Sequence, residues 1–156
     1  MRLRSALAPL LLTALTSPLA GQQPSATELD IGPVATWARR AFTGGALGIA
    51  TRPGGEGRVA LLAAVGLADG HPALRLEVTA QFLVLPGART GLSPYGGVGV
   101  AYLGARPYRG AGAIVVLVGV EAAAGRPRGW FGELGFGGGL RVRAGYRWRH
   151  LPPWWS

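Results

Sequence analysis

Few side chains in this sequence are equipped for covalent chemistry. There is no cysteine, so thiolate nucleophiles, disulfides and cysteine-type zinc sites are excluded. Only two histidines are present, His71 and His150, too few to suggest another transition-metal site. Past the first twenty residues the serines are Ser25, Ser93 and Ser156, none flanked as Gly-x-Ser-x-Gly and none near a histidine in sequence. A general base needs a partner within hydrogen-bond reach, so neither histidine reads as a catalyst. Gly96, Gly97 and Gly99 are not followed by Lys-Ser/Thr, and no helical pattern begins there. They suit close packing in a strand rather than a phosphate loop. No catalytic site, cofactor or metal is expected.

The remaining chemistry is ionic. The chain carries 16 arginines, no lysine and 7 acids, for a net charge of +9. Arg75, Glu77, Glu121, Glu133, Arg141, Arg143, Arg147 and Arg149 all sit at alternating positions whose neighbours are apolar or small. Paired carboxylates can do acid–base work. On a strand with one apolar face, however, such residues are better read as a mutually paired Arg/Glu network filling an interior. Nucleic acid is not the expected partner, because the arginines alternate with apolar residues along strands of a chain marked for export. Arg106, Arg109, Arg126 and Arg128 fall in turns, where they suit lipid phosphates.

The elements that must position these charges repeat in twos. In residues 73–84, Leu74, Leu76, Val78, Ala80, Phe82 and Val84 alternate with Arg75, Glu77, Thr79, Gln81 and Leu83. In residues 140–149, Leu140, Val142, Ala144, Tyr146 and Trp148 oppose four arginines and Gly145. A period of two over such lengths predicts strands. Further strands are predicted over 45–52, 58–68, 95–104, 111–122 and 129–137, separated by Gly-, Pro- and Asp-rich turns. A glycine loop at Gly137 to Gly139 predicts a hairpin in which Phe136 faces Leu140, Trp130 faces Tyr146 and Glu133 faces Arg143. No apolar run in these segments is long enough for a helical span, which takes about 20 residues.

Alternation alone permits a soluble barrel with its apolar face inward or a membrane barrel with that face in lipid. Residues 59–68 and 113–120 are apolar or small on both faces, which in water would expose a large apolar patch. Phe82, Tyr95, Trp130, Tyr146 and Trp148 gather toward one end of their strands, as an interfacial aromatic girdle does. Arg2 and Arg4 precede the apolar run 6–15 and the small residues around Ala20 and Gly21, the layout of a cleaved secretory signal. The resulting division is a signal peptide over 1–20, a polar segment over 21–32, a barrel over 33–150 and a tail over 151–156.

Pro94-Tyr95-Gly96-Gly97-Val98-Gly99-Val100-Ala101-Tyr102 and the closing Gly145-Tyr146-Arg147-Trp148 resemble the small bacterial outer-membrane β-barrel proteins of the OmpA/OmpX-like and opacity-like group. The resemblance implies an all-β, eight-stranded antiparallel up-and-down transmembrane barrel with short periplasmic turns. It also implies outer-membrane lipid and the outer-membrane assembly machinery as partners, with no specific protein partner indicated. Members usually stop at a terminal aromatic, whereas this chain continues past Trp148. The expected role is structural or one of interaction at the cell envelope, without catalysis. The rivals are a soluble, exported, periplasmic or secreted lipocalin-like barrel binding an apolar ligand, and a lipid-modifying barrel enzyme. An even strand count requires residues 33–42 to supply the first crossing, although adjacent Arg39 and Arg40 would force one arginine toward lipid. The competing outcome is a short helix there, leaving seven strands and an open edge.

Overall fold

The computed structural model describes residues 24–107 and 109–155. The expected signal peptide over 1–20 lies outside the described residues. Eight antiparallel strands close on themselves: β1 (Ala26–Trp37), β2 (Phe42–Arg52), β3 (Gly57–Ala68), β4 (His71–Leu83), β5 (Leu92–Ala105), β6 (Ala111–Ala122), β7 (Arg128–Gly137) and β8 (Leu140–His150). Each strand pairs with its sequence neighbours, and β1 closes on β8 from Thr27 opposite His150 to Trp37 opposite Leu140. Closure removes the unpaired edge that seven strands would have left. A short 3-10 turn, Pro153–Trp155, follows β8.

The largest departures from expectation are at the two ends of β1, whereas β2, β4 and β5 begin two or three residues before the predicted 45, 73 and 95. Glu28 and Asp30 made residues 21–32 read as a polar segment outside the barrel, yet Leu29 and Ile31 interleave with them on the opposite face. The alternation is complete, so β1 starts at Ala26 and ends at Trp37. Phe42 then opens β2 instead of closing the first strand, and Arg39 and Arg40 lie exposed in the connecting residues 38–41. Neither arginine has to point at the apolar band, and no helix forms there.

The hairpin of β7 and β8 has the expected register: Phe136 opposite Leu140, Leu134 opposite Val142, Glu133 opposite Arg143 and Trp130 opposite Tyr146. A one-residue slip would put arginine on the apolar face at every step. A two-residue turn, Asp69-Gly70, joins β3 to β4, and both residues have positive φ, 48° and 80°. That is the type I′ preference of two-residue hairpins, which glycine meets without strain. Asp69 also accepts the Ala41 N–H at 3.1 Å through its side chain, tying two neighbouring turns together.

The apolar face points outward. Leu29, Ile31, Leu47, Ile49, Val65, Val98, Val100, Ile114 and Val118 are all exposed, and Arg128, the first residue of β7, is the one charged residue on the outward face of any strand among the described residues. The lipocalin-like alternative required the reverse. Small residues take up much of the inward face: Ala46, Ala64, Ala68, Ala73 and Ala105 pack with Val34, Phe42 and Leu62 into one cluster. This cluster lies toward the end opposite the termini. That end carries the connections 38–41, 69–70, 106–110 and 138–139, whereas 53–56, 84–91 and 123–127 lie at the end with both termini. The longest connection, 84–91, is therefore on the terminal end, where the resemblance implied only short turns.

Candidate functional site: the charged bore

Strand parity sends side chains alternately in and out, and among the described residues it delivers twelve charged ones to the interior: Arg52, Arg58, Arg75, Arg141, Arg143, Arg147 and Arg149 against Glu28, Asp30, Glu77, Glu121 and Glu133, all buried. Every residue of the Arg/Glu set singled out from the sequence is among them. Four more, Glu28, Asp30, Arg52 and Arg58, are additions the sequence reading missed. Their signal was present: Arg58 shares its parity with inward Ala60 and Leu62, and Arg52 shares that of Ala50.

Toward the terminal end the hub is Glu121. It meets Arg58 at 2.7 Å, Arg147 at 2.6 Å and Arg149 at 2.9 Å. Glu28 binds Arg58 at 2.9 Å and Arg52 at 3.0 Å. Arg52 then donates to the carbonyls of Pro86 and Ala124, at 3.0 and 3.1 Å, fastening the 84–91 and 123–127 connections to the bore. Further along the axis Asp30 accepts from Arg143 and, at 3.3 Å, from Arg147. Glu133 takes Arg141 at 2.9 Å and the Tyr95 hydroxyl at 2.9 Å. Glu77 joins Arg141 at 2.9 Å to Arg75 at 2.5 Å, and Arg75 donates on to the Gly137 carbonyl at 2.9 Å.

Tyr95 was expected in the aromatic girdle. Instead it is buried in the bore, with the guanidinium carbons of Arg58 and Arg147 at 5.2 and 5.8 Å from its ring centre. Its parity explains this, because Tyr95 lies on the same face of β5 as inward Ser93 and Ala101. Phe131 is likewise inside, under Arg143 and Arg147 at 4.8 and 4.5 Å. Both rings give the guanidinium planes cation–π partners away from water. Phe82, Trp130, Tyr146 and Trp148 do face outward at the terminal end, and Trp37, Tyr102 and Phe136 are exposed toward the opposite end.

The candidate catalytic side chains are not brought together. His71 opens β4 at one end of the barrel, and His150 closes β8 at the other. The Ser93 hydroxyl donates to the Leu85 carbonyl at 2.5 Å, bracing the 84–91 connection. The tail past Trp148 packs under the terminal end: the Trp155 indole donates to the Gly125 carbonyl at 2.9 Å, and Arg89 donates to the Trp155 carbonyl while lying 5.2 Å from its ring centre.

No protein-family model and no curated protein sequence matches the chain. Solved structures do. The crystal structure of the N-terminal β-barrel domain of OprF from Pseudomonas aeruginosa is similar at 15% identity and a TM-score of 0.64, covering 83% of this chain and 99% of that one. The outer-membrane protein OprG from the same organism is similar at 11% identity and a TM-score of 0.62, covering 83% and 98%. The chain has the fold of the small outer-membrane barrels. What it shares with them is architecture.

Proposed function

We propose that this chain is exported under a cleaved signal over residues 1–20 and resides in the bacterial outer membrane as a plugged barrel with a structural or envelope-interaction role and no catalytic site. The observation that carries the reading is the partition of charge. All twelve buried charges are inside the wall, while the outward strand faces present aliphatic residues bounded by exposed aromatics toward each end. Charge inside and hydrocarbon outside is the polarity a bilayer selects and water opposes. The resident partners would be outer-membrane lipid and, during biogenesis, the assembly machinery that inserts such barrels.

An eight-stranded barrel has an interior just wide enough for side chains to fill, and here arginines and carboxylates fill much of it. The bore therefore works as a plug. Fractionation should place the protein in the detergent-requiring outer-membrane fraction with heat-modifiable mobility, and planar-bilayer recordings should show no large, stable conductance. Recovery as a soluble periplasmic protein would overturn the location, and steady pore currents from pure protein would overturn the plug. With both termini in the periplasm, Arg40→Cys is labelled in intact cells and Glu56→Cys is protected; the reverse pattern would invert the topology.

A further inference from the structure

At the end opposite the termini the plug gives way to a cavity of about 470 Å3. It lies between the end of β1, the facing stretch of β5, the start of β6 and the 138–139 turn. One side is apolar, built from Ala101, Leu103, Ala105, Ala111 and Ala113. The cations of the lining are Arg75 from β4, Arg109 from the β5–β6 connection above that wall, and Arg39 and Arg40 from the β1–β2 connection. No carboxylate lines it among the described residues. Outside the lining, Glu77 holds the Nε of Arg75 and pairs with Arg141, and Asp69 accepts the Ala41 N–H.

Arg75 is 2% exposed. Its Nε is held by Glu77 and its Nη2 by the Gly137 carbonyl, which leaves Nη1 without a partner among the described residues. A buried guanidinium fixed by two of its nitrogens is a preorganised oxyanion donor, since little side-chain freedom remains to be lost on binding. Arg39 and Arg109 are exposed and form no ion pair with any described residue. Low-dielectric walls concentrate the field of such a group toward the opening. A free inorganic anion would satisfy the arginines and leave the alanine wall wet; a neutral apolar molecule would do the opposite.

We propose that this cavity binds an amphiphile with an oxyanion head, carboxylate or phosphate, and a short apolar body. The head would take Arg75 with Arg39 and Arg109, and the body would lie on the alanine wall. The β5 part of the apolar wall runs only from Ala101 to Ala105, about 13 Å at about 3.3 Å per strand residue, so the body is short and not a full lipid chain. The proposal rests on the outer-membrane reading for its orientation, with the cavity facing the outside.

The test uses the protein purified from membranes and placed in phosphatidylcholine nanodiscs, with empty nanodiscs as reference and calorimetry as readout. Octyl phosphate and octanoate should bind, with inorganic phosphate and octanol at least tenfold weaker. Octyl phosphate the tighter of the two would identify a phosphate-headed ligand, and octanoate the tighter a free carboxylate amphiphile. Arg39→Gln combined with Arg109→Gln, both in connections, should weaken binding about tenfold or more. Ala113→Trp, which fills the cavity, should abolish it. Equal binding by octanol, equal binding by inorganic phosphate, or wild-type affinity in the double variant would overturn the proposal. A heat-modifiable, membrane-embedded protein that binds neither amphiphile would overturn the binding alone, whereas a protein recovered without membranes would overturn both.

Discussion

At the end carrying the termini, Arg52, Arg58, Arg147 and Arg149 crowd around Glu28 and Glu121 until the bore is filled by guanidinium and carboxylate. At the opposite end Ala64, Ala68, Ala73 and Ala105 line the same wall, and space remains. The backbone is alike at both ends, so the difference lies wholly in the inward side chains. Long cations can reach across a bore to shared acids; alanines cannot, and pack only where Phe42, Val34 and Leu62 lean over them. One barrel thus has a dense half that ties strands distant in sequence to one another and an open half that keeps a chamber. Removing one partner from the dense half strands several charges, whereas a change in the open half meets slack.

The largest expected effect follows from that asymmetry. Glu121→Ala leaves Arg58, Arg147 and Arg149 without their common acceptor, and breaking a buried ionic cluster from one side costs about 3–5 kcal/mol. Urea unfolding in lipid vesicles should show that loss or a failure to fold; a cost below about 1 kcal/mol would mean the cluster contributes little to the dense half. Next is the outer wall. Val78→Arg places a charge in the apolar band and should cost about 2–4 kcal/mol near the midplane, with Val78→Leu close to neutral. Equal stability of the two in vesicles would remove the lipid assignment of that face.

Overpacking separates the two sides of the open half. Ala64 is buried in the alanine cluster, so Ala64→Leu should cost about 1–3 kcal/mol. Ala113 borders the cavity, and Ala113→Leu should be tolerated within about 0.5 kcal/mol because there is room to accept it. Similar midpoints for both in the same unfolding experiment would mean the chamber is not open. Among the substitutions that remove a contact, the smallest effect is at the tail: Trp155→Ala removes one hydrogen bond to Gly125 and one ring under Arg89, about 1 kcal/mol. A loss as large as that of Glu121→Ala would show the tail to be part of the dense half.

Strand identity was legible wherever inward and outward residues differ in kind, as in Arg75 to Phe82 and in β8. It was illegible at Glu28 and Asp30, because two acids in a short window look like a solvated segment until the strand that pairs their partners is known; Arg58 and Arg147 complete them from β3 and β8. Tyr95 was misplaced for a related reason. An aromatic near a strand end suits an interface by composition, and only its parity and the Glu133 carboxylate 2.9 Å away put it inside. The cavity could not be read at all, since it is made by alanines whose neighbours across the bore are fixed only when the barrel closes.

The connections at the end opposite the termini span residues 38–41, 69–70, 106–110 and 138–139. In the proposed orientation these are all that the barrel shows to the surroundings. No more than five consecutive residues leave a strand there, too little for a protease to draw into an extended substrate groove or for an antibody to find a linear epitope. An intact cell would present this protein as a nearly blank disc, immunologically quiet and resistant to nicking, with arginines as its principal markings.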